Sequence, residues 1–236
     1  MAVRAGTLIL LTALVAAAVG CSTQSDDAKG DDPPADEAPP VVLLHADDPG
    51  PDPFGPPFGP SLVDSIDRGA PGDAIGRSLS FEPVPGSEPR LYGRVDRQAP
   101  CDLDGLIDHF DNRNELTEVV AGVLDVSALQ LSSFLRSYVA VATTRDTFVV
   151  DHRLVDGAAV PSPAVLEAGT TVLIDDLGLP RLRCGSASPL TQPDAEDLVG
   201  DAEPVGEPWA GFDPSRLVVV VRAPEPLTRL DLAELH

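Results

Sequence analysis

The hydrophobic residues within 102–141 recur every three or four positions, which is the period of amphipathic helices. Asp102 stands before the first apolar run as a predicted N-cap, and Ser127 with Gln130 forms a capping-box pattern before the third. Because polar residues separate the runs, the pattern predicts three short helices rather than one long helix. The runs cover 103–110, 116–124 and 131–138.

After residue 141 the pattern becomes that of β-strands, with short runs of β-branched and apolar residues. Asp156-Gly157 and the stretch 175–178 are typical of hairpin turns between such runs. Helices that precede antiparallel hairpins indicate an α+β fold, here a cluster of three short helices followed by antiparallel β-hairpins. Strands are predicted at 147–155, 170–174, 179–183 and 217–221, and the acidic stretch 191–207 is predicted to be a loop.

Residues 41–90 carry little periodicity beyond one apolar run at 41–44. Burying these large side chains, at roughly 1.5–3 kcal/mol each, offsets the backbone entropy cost of a short strand, about 1–2 kcal/mol per residue. We therefore predict that 41–45 pairs into the sheet and that Phe54 is buried. The turn-rich stretch 61–90 is predicted to be a wrap or a partly disordered loop.

The first residues have the pattern of an export signal. A positively charged start precedes the apolar stretch 8–19, which is too short for a membrane span of about 20 residues. The following Ala18-Val19-Gly20-Cys21 resembles a bacterial lipobox. We predict a lipoprotein signal peptide at 1–20, with Cys21 as the lipidated N-terminus carrying a diacylglyceryl group and a fatty acyl chain such as palmitate. An ordinary secretory signal is the alternative.

The stretch 22–40 is acidic and Pro-rich, and it contains no aromatic or β-branched apolar residue. Such a composition cannot offset the entropy of ordering, so this stretch is predicted to be a disordered tether. Residues 41–236 are then a single α+β extracytoplasmic domain. The sequence places this domain outside the cell, anchored by lipid to the outer face of the cytoplasmic membrane.

The chain has three cysteines, Cys21, Cys101 and Cys184. If Cys21 is lipidated, the other two form one even pair in an exported domain, where disulfides persist. We predict a Cys101–Cys184 disulfide, with two buried free thiols as the alternative. Neither cysteine has further ligands at a suitable spacing, so no metal site is predicted.

Composition and charge narrow the function classes. The chain has 38 acidic and 16 basic residues, for a formal net charge of −22, which excludes electrostatic binding to nucleic acid. Its 43 % hydrophobic content is enough to build a core, so disorder of the whole chain is also excluded.

Few residues are candidates for chemistry. His109 and His152 lie near aspartates, but in so acidic a chain we interpret them as surface histidines. Trp209 and Phe212, beside two prolines, are a candidate ligand patch, with a loop anchor as the alternative. No nucleophile, phosphate-loop or metalloprotease motif occurs, so we predict no catalytic residue and no cofactor.

Several short stretches appear in an order that resembles a family of uncharacterised actinobacterial exported proteins, mostly lipoproteins, defined by a domain of unknown function. The resemblance covers roughly 41–235 and implies no reaction and no ligand. It departs at Ser186 and Ser188, where the family has Cys and Asn, so the family's Cys-x-Cys pair is lost here. The matching stretches are 48–54, Leu91-Tyr92-Gly93, Cys101-Asp102, Arg145-Asp146-Thr147, 166–170, 180–184, Pro189-Leu190 and 209–214.

These observations favour a non-enzymatic, lipid-anchored module that binds a protein, peptide or glycan at the cell envelope. A structural envelope lipoprotein without a ligand site is the second hypothesis, and a hydrolase with an atypical acid pair is the third. An exposed aromatic or polar face would favour the binding module. A deep pocket with two converging carboxylates or a His–Asp pair would favour the hydrolase.

Overall fold

Strands from both ends of the domain meet in one mixed sheet of twelve strands. The structure, a computed structural model, describes residues 39–66, 78–95, 100–194 and 204–236, and those from residue 39 onward lie in one compact unit. The strands are β1 (Val41–Leu44), β2 (Phe81–Pro85), β3 (Tyr92–Val95), β4 (Val139–Thr143), β5 (Thr147–Val155), β6 (Ala158–Leu166), β7 (Thr171–Ile174), β8 (Pro180–Arg183), β9 (Ser188–Thr191), β10 (Pro204–Val205), β11 (Leu217–Val221) and β12 (Ala233–Leu235).

The strand order is β10-β1-β6-β5-β9-β8-β7-β4-β3-β12, with β11 branching from β5 and carrying β2 on its other side. The hairpins β5–β6, β7–β8 and β8–β9 are antiparallel. Parallel pairs join elements distant in sequence: β1 with β6 and β10, β11 with β2 and β5, and β12 with β3. The sheet is therefore assembled by long-range parallel pairing as well as by hairpins between neighbouring strands.

Three short α-helices lie in the described part of the chain: α1 (Leu103–Asp111), α2 (Asn114–Leu124) and α3 (Leu131–Ser137). Their positions match the predicted apolar runs. The Asp102 cap is confirmed, because its Oδ1 accepts a hydrogen bond from the Gly105 N–H at 3.0 Å. The capping box is wrong, because Ser127 makes no side-chain cap bond and precedes a 3-10 turn, Ala128–Gln130.

The predicted α+β class is wrong, because the molecule is mostly β. The three helices contain only 9, 11 and 7 residues, and strands occur on both sides of them in the sequence. The error has a physical cause. Four of the five parallel pairs join residues more than a hundred positions apart, and β11 with β5 joins residues about 70 apart. A local hydrophobic pattern does not reveal such partners.

Both predicted hairpins are confirmed. Asp156 and Gly157 have φ values of 49° and 78°, so both central residues of the β5–β6 turn are left-handed, as a type I′ turn requires. Strands β7 and β8 flank the second turn. The buried strand predicted at 217–221 is β11.

The N-terminal part of the domain is more ordered than its composition indicates. Strand β1 pairs with β6, and Phe54 is buried, as predicted. The stretch 61–90 is not only a loop, because it contains β2, which pairs in parallel with β11 over five residue pairs. The predicted signal peptide, the lipidated Cys21 and the tether up to residue 38 lie outside the described residues.

The three helices cover one face of the sheet. Their buried leucines, Ile107 and Phe110 form one hydrophobic cluster with Leu173 of β7 and Leu182 of β8. The predicted disulfide is confirmed within this cluster, where the Cα atoms of Cys101 and Cys184 lie 5.8 Å apart. In the described part of the chain no single helix is long and apolar enough to cross a membrane; α2 and the segment Ala128–Ser137 pass that length and composition test only together, across a bend of 94°.

Candidate functional site

The candidate ligand patch is mostly buried. Trp209 is 7 % exposed and Phe212 is 2 % exposed, and their rings meet edge to face with centroids 5.0 Å apart. Both belong to a hydrophobic cluster with Val41 and Leu43 of β1 and Leu217 of β11. Their packing therefore agrees with the loop-anchor alternative, while one side of Trp209 still borders a recess in the surface.

This recess, which we call the Trp209 recess, has a volume of about 110 Å³. Three stretches singled out in the sequence meet there: Arg145-Asp146, Ala168 and the loop from Trp209 to Asp213. The loop reaches the site because its aromatic rings are fixed in the core beside β1 and β11. Arg216, just before β11, also lines the recess.

Asp146 connects these three stretches by hydrogen bonds. Its Oδ1 accepts the Ala168 N–H at 2.9 Å, and its Oδ2 accepts the Trp209 indole N–H at 3.1 Å. Its backbone carbonyl accepts the Val218 N–H at 3.0 Å. Since both carboxylate oxygens already accept protein donors, Asp146 serves to position Trp209 rather than to take a proton from a substrate.

The charged groups of the recess have both signs. Arg145 pairs with Glu82 of β2, and the Asp213 Oδ1 accepts hydrogen bonds from the N–H and hydroxyl of Ser215. Within the described part of the chain, the Arg216 guanidinium makes no ion pair or hydrogen bond. Among the described residues that line the recess, Arg216 is thus the exposed arginine, and Asp213 belongs to the same lining.

A larger depression lies on the helical side of the molecule, where α2 and α3 meet the β7–β8 turn. We call it the Tyr138 cleft, and its volume is about 480 Å³, within the range of small-ligand sites. Val123, Val126 and Phe134 supply its apolar wall. Its polar wall consists of Asp125, Ser137, Tyr138, Asp175, Asp176, Arg181 and Arg222.

Arg181 of β8 holds the base of the Tyr138 cleft. Its guanidinium donates to the Leu124 carbonyl at the end of α2, at 3.0 Å, and Tyr138 lines the cleft beside it. Burial raises the pKa of Tyr138, so the hydroxyl stays protonated. The buried Arg181 Nε has no hydrogen-bond partner among the described residues, and Asp175 Oδ2 lies 3.9 Å from it.

Exposed apolar side chains occur along the segment 129–139, of which Phe134 lines this cleft. Leu129 is 96 % exposed, Phe134 39 % and Val139 44 %. The segment runs through α3 into β4, and Phe134 faces into the cleft wall. The sequence pattern missed this surface because Phe134 and Tyr138 fit the same helical period as the buried Leu131 and Leu135. The polar pairs Ser132-Ser133 and Arg136-Ser137, on either side of Phe134, are the sequence signal that could have indicated an exposed face here.

The interpretation of His109 and His152 as surface residues is wrong. His109 is half-buried, with Nε2 3.0 Å from the Phe54 carbonyl oxygen, and His152 is buried, with Nδ1 3.1 Å from the Pro189 carbonyl oxygen. Burial lowers the pKa of His152, which keeps its ring neutral. Each histidine therefore fixes a segment of backbone.

Asp151, next to His152 on β5, is a second buried titratable group. Burial raises its pKa to about 6, although the nearby Arg183 acts in the opposite direction. Its Oδ1 has no hydrogen-bond partner among the described residues, while Arg183 donates to Ser186 and to the Pro49 carbonyl. Adjacent strand residues point to opposite faces, so Asp151 and His152 do not converge as a catalytic pair.

Metal ligands do not gather in the part of the chain that the structure describes: no group of three His, Cys, Asp or Glu side chains there could hold an ion. The paired Asp175 and Asp176 of the Tyr138 cleft have separate roles. The Asp175 Oδ1 accepts the Leu177 and Leu179 N–H groups of the turn, each at 2.9 Å, whereas the Asp176 side chain is exposed.

Comparison with known proteins identifies a family. The family model described as "Domain of unknown function (DUF6777)" matches residues 82–236. These include the Tyr138 cleft, the disulfide and the described lining of the Trp209 recess other than Ile66. The matched region starts later than the resemblance drawn from short stretches, and β1 lies outside it. No curated protein and no solved structure matches the chain.

Proposed function

The chain belongs to the DUF6777 family, and we propose that it is a lipid-anchored extracytoplasmic module that binds a partner protein at the cell envelope through the Tyr138 cleft. The exposed apolar surface at Phe134 is the observation that carries this proposal. The lipobox-like stretch ending at Cys21 supports the anchor. A lipid-anchored domain meets its partners at the membrane surface, where one well-placed interaction surface is enough for recruitment.

The chemistry of the cleft supports a protein partner over a glycan. Two exposed aliphatic side chains, Leu129 and Val139, lie on the same segment of chain as the aromatic ring of Phe134. Sugars use aromatic faces and polar groups, whereas aliphatic surface of this kind gains free energy chiefly when another protein covers it.

Charge indicates which kind of protein surface fits. Asp125, Asp175 and Asp176 outnumber Arg181 and Arg222 in the cleft, and the whole chain has a formal charge of −22. A partner segment with an apolar side chain flanked by lysine or arginine would complement this surface. Such charge complementarity raises the association rate and makes binding weaker at high salt.

Site-specific crosslinking in intact cells tests the proposal. A photoreactive amino acid at Ser137, an exposed residue that lines the cleft, should give one discrete crosslinked partner protein. Phe134→Asp in the same chain should abolish that product, because it places a charge where the apolar contact forms. The same photoreactive group at Ser215, on the Trp209 side, is the control and should not give this product.

Two outcomes contradict the proposal. Identical products from Ser137 and Ser215 would show non-specific proximity, and a product that survives Phe134→Asp would show that the cleft is not the binding surface. The anchor is tested separately: Cys21→Ala should move the protein from the membrane fraction to the medium. If that variant stays in the membrane unprocessed, the lipid anchor is wrong while the crosslinking result stands.

A further inference from the structure

We infer that the peptide bond between Asp52 and Pro53 is a self-cleavage site, at which the Asp52 carboxyl group cuts the chain without a protease. The inference depends on the backbone conformation of Asp52, on the anchors of the loop around it and on the hydrogen bond to its carbonyl oxygen. It requires neither the proposed partner protein nor the lipid anchor.

Asp52 has a strained backbone. Its φ is 49°, in the left-handed region that residues other than glycine adopt rarely. The proline that follows adds to the strain, because the residue before a proline prefers an extended conformation. Strain of this kind raises the free energy of the intact chain, and breaking the bond to Pro53 releases it.

The loop is fixed on both sides of Asp52, so the strain cannot relax. Before it, the carbonyl oxygen of Pro49 accepts a hydrogen bond from the buried Arg183. After it, Phe54 is buried, and its carbonyl oxygen lies 3.0 Å from the Nε2 of His109. A strained conformation persists only where the surrounding structure determines it in this way.

The main-chain carbonyl of Asp52 is prepared for attack. Its oxygen accepts the Leu154 N–H of β5 at 2.8 Å. A backbone donor in this position stabilises the negative charge that develops on the oxygen when a nucleophile attacks the carbonyl carbon. The nucleophile is the carboxyl group of the same residue, which acts at a high effective concentration because the reaction is intramolecular.

The reaction consumes only water. A carboxyl oxygen of Asp52 forms a bond to the main-chain carbonyl carbon of the same residue, and the C–N bond to Pro53 breaks. The electron pair of that bond stays on the proline nitrogen, which takes the proton of the carboxyl group. Water then opens the cyclic anhydride left on Asp52 into two carboxyl groups. Both residues are exposed, so water reaches them.

Arg153 restrains this reaction. It is the charged group that the structure pairs with the Asp52 carboxylate, with Nη1 3.3 Å from Oδ2. The ion pair stabilises the ionised carboxylate, whereas the reaction needs the carboxyl proton, so the pair favours the intact chain over the transition state. Acid, which supplies that proton, therefore speeds cleavage.

Cleavage separates the residues up to Asp52 from the region 82–236 that the family model matches. Strand β1 lies on the N-terminal side of the cut and remains paired with β6 and β10. The two fragments therefore stay together until β1 leaves the sheet, and they must be denatured before they are counted.

Two further Asp–Pro bonds in the described part of the chain, Asp48–Pro49 and Asp213–Pro214, are internal controls, because neither aspartate has a positive φ. The full-length protein is kept for several days at about pH 5 and about pH 7, with and without urea, and the fragments are identified by mass spectrometry. In the native protein at the lower pH, the bond after Asp52 should be cleaved at least about tenfold faster than the other two. In urea the three bonds should be cleaved at similar rates.

Variants identify the nucleophile and its restraint. Asp52→Asn removes the carboxyl group and should slow cleavage at this bond at least about tenfold, as should Asp52→Glu, which keeps the charge but forms a larger ring. Arg153→Gln should speed cleavage about two- to fivefold at the higher pH. Asp48→Asn keeps the oxygen that accepts from Gly50 and is the matched control, with no change expected at Asp52.

Several results would overturn the inference. Absent cleavage after Asp52 in the native protein, or equal cleavage at the three bonds, would show that the fold does not activate this bond. The same preference in urea would assign it to the local sequence, and cleavage that persists in Asp52→Asn would assign it to another nucleophile. None of these results bears on crosslinking at Ser137, so failure here is distinct from failure of the proposed function.

Discussion

The Tyr138 cleft and the Trp209 recess differ in how their surroundings are held together. The cleft lies against a helical layer that is tied to the sheet covalently, through Cys101 at the start of α1 and Cys184 after β8. The recess depends on the hydrogen bonds of one residue, Asp146, whose carboxylate accepts from Ala168 and Trp209 and whose backbone carbonyl accepts from Val218. We therefore expect the cleft to tolerate substitutions of its exposed residues, because a disulfide and a hydrophobic core hold its surroundings. We expect the recess to be sensitive to substitution of Asp146, because its surroundings depend on that one residue.

The largest expected effect is loss of the disulfide. Replacing Cys101 and Cys184 by Ser opens a loop with a sequence separation of 83 and should lower the free energy of unfolding by about 4–5 kcal/mol in the chain-entropy model. Urea denaturation measures the change. Hydrogen exchange should accelerate in α1 more than around Asp146; equal acceleration at both places would contradict the division between the two sides.

Asp146→Ala should have the next largest effect and act on the other side. It leaves the buried Ala168 N–H and the Trp209 indole N–H without their acceptor, so we expect a loss of about 3 kcal/mol of unfolding free energy. Trp209 emission in the native state should shift to the red. Asp176→Ala, which removes an exposed carboxylate from the cleft, is the control and should change stability by less than about 0.5 kcal/mol.

The buried Asp151 of β5, which lines neither site, should make the stability of the domain depend on pH. Its pKa is about 6 in the folded state against an ordinary 3.8, so the native protein binds this proton more tightly. The resulting stabilisation is fully present below about pH 4 and is lost as the pH rises through 6. At about 1.4 kcal/mol per pKa unit, wild type should lose about 3 kcal/mol relative to Asp151→Asn between those limits.

The measurement is the free energy of unfolding of wild type and of Asp151→Asn at a series of pH values. The contributions of the other carboxylates cancel in the difference between the two proteins. Arg183, Arg153 and His152 are the charged or titratable neighbours of Asp151, and Arg183 lowers its pKa while burial raises it. A difference between the two proteins that stays constant with pH would show that the pKa of Asp151 is the same in the native and the unfolded state.

The smallest effect on stability is expected at the cleft. Phe134→Ser removes a side chain that is already 39 % exposed, so the free energy of unfolding should change by less than about 1 kcal/mol. Binding of the partner should fall at the same time. A large loss of stability would show that Phe134 is part of the core, and the cleft would then be a packing defect rather than a binding surface.

The sequence predicted the local elements and missed how they are assembled. The three helices, the Asp156-Gly157 hairpin and the burial of Phe54 follow from periodicity, turn chemistry and hydrophobicity, all of which act over a few residues. Strand β2 could not be predicted, because Pro83 and Pro85 weaken its pattern and its partner β11 lies far along the chain. The two prolines are tolerated because β2 pairs with only one described strand, so a missing backbone N–H need not leave a second partner unpaired.

The residues of the two sites were predictable to different degrees, because a sequence pattern shows local features and does not show which distant residues the fold brings together. Arg145, Asp146 and the Trp209 loop stood out as short stretches, but only the fold brings them to one recess. Arg181 of the Tyr138 cleft gave no signal, because a charged residue in a hairpin strand usually faces water. Its partial burial follows from the contact with α2, because its guanidinium donates to the carbonyl of Leu124, the last residue of that helix.

The pairing of β2 with β11 also constrains when the domain can fold. Phe81 of β2 pairs with Leu217 of β11, and Gly93 of β3 pairs with Ala233 of β12. Strands β2 and β3 therefore cannot pair with these partners until the C-terminal part of the chain has been synthesised. Loops of this length must close before the contacts that stabilise them exist, which slows folding. A chain that emerges N-terminus first therefore stays open to chaperones and proteases until residues 217–235 arrive, and only then becomes resistant to them.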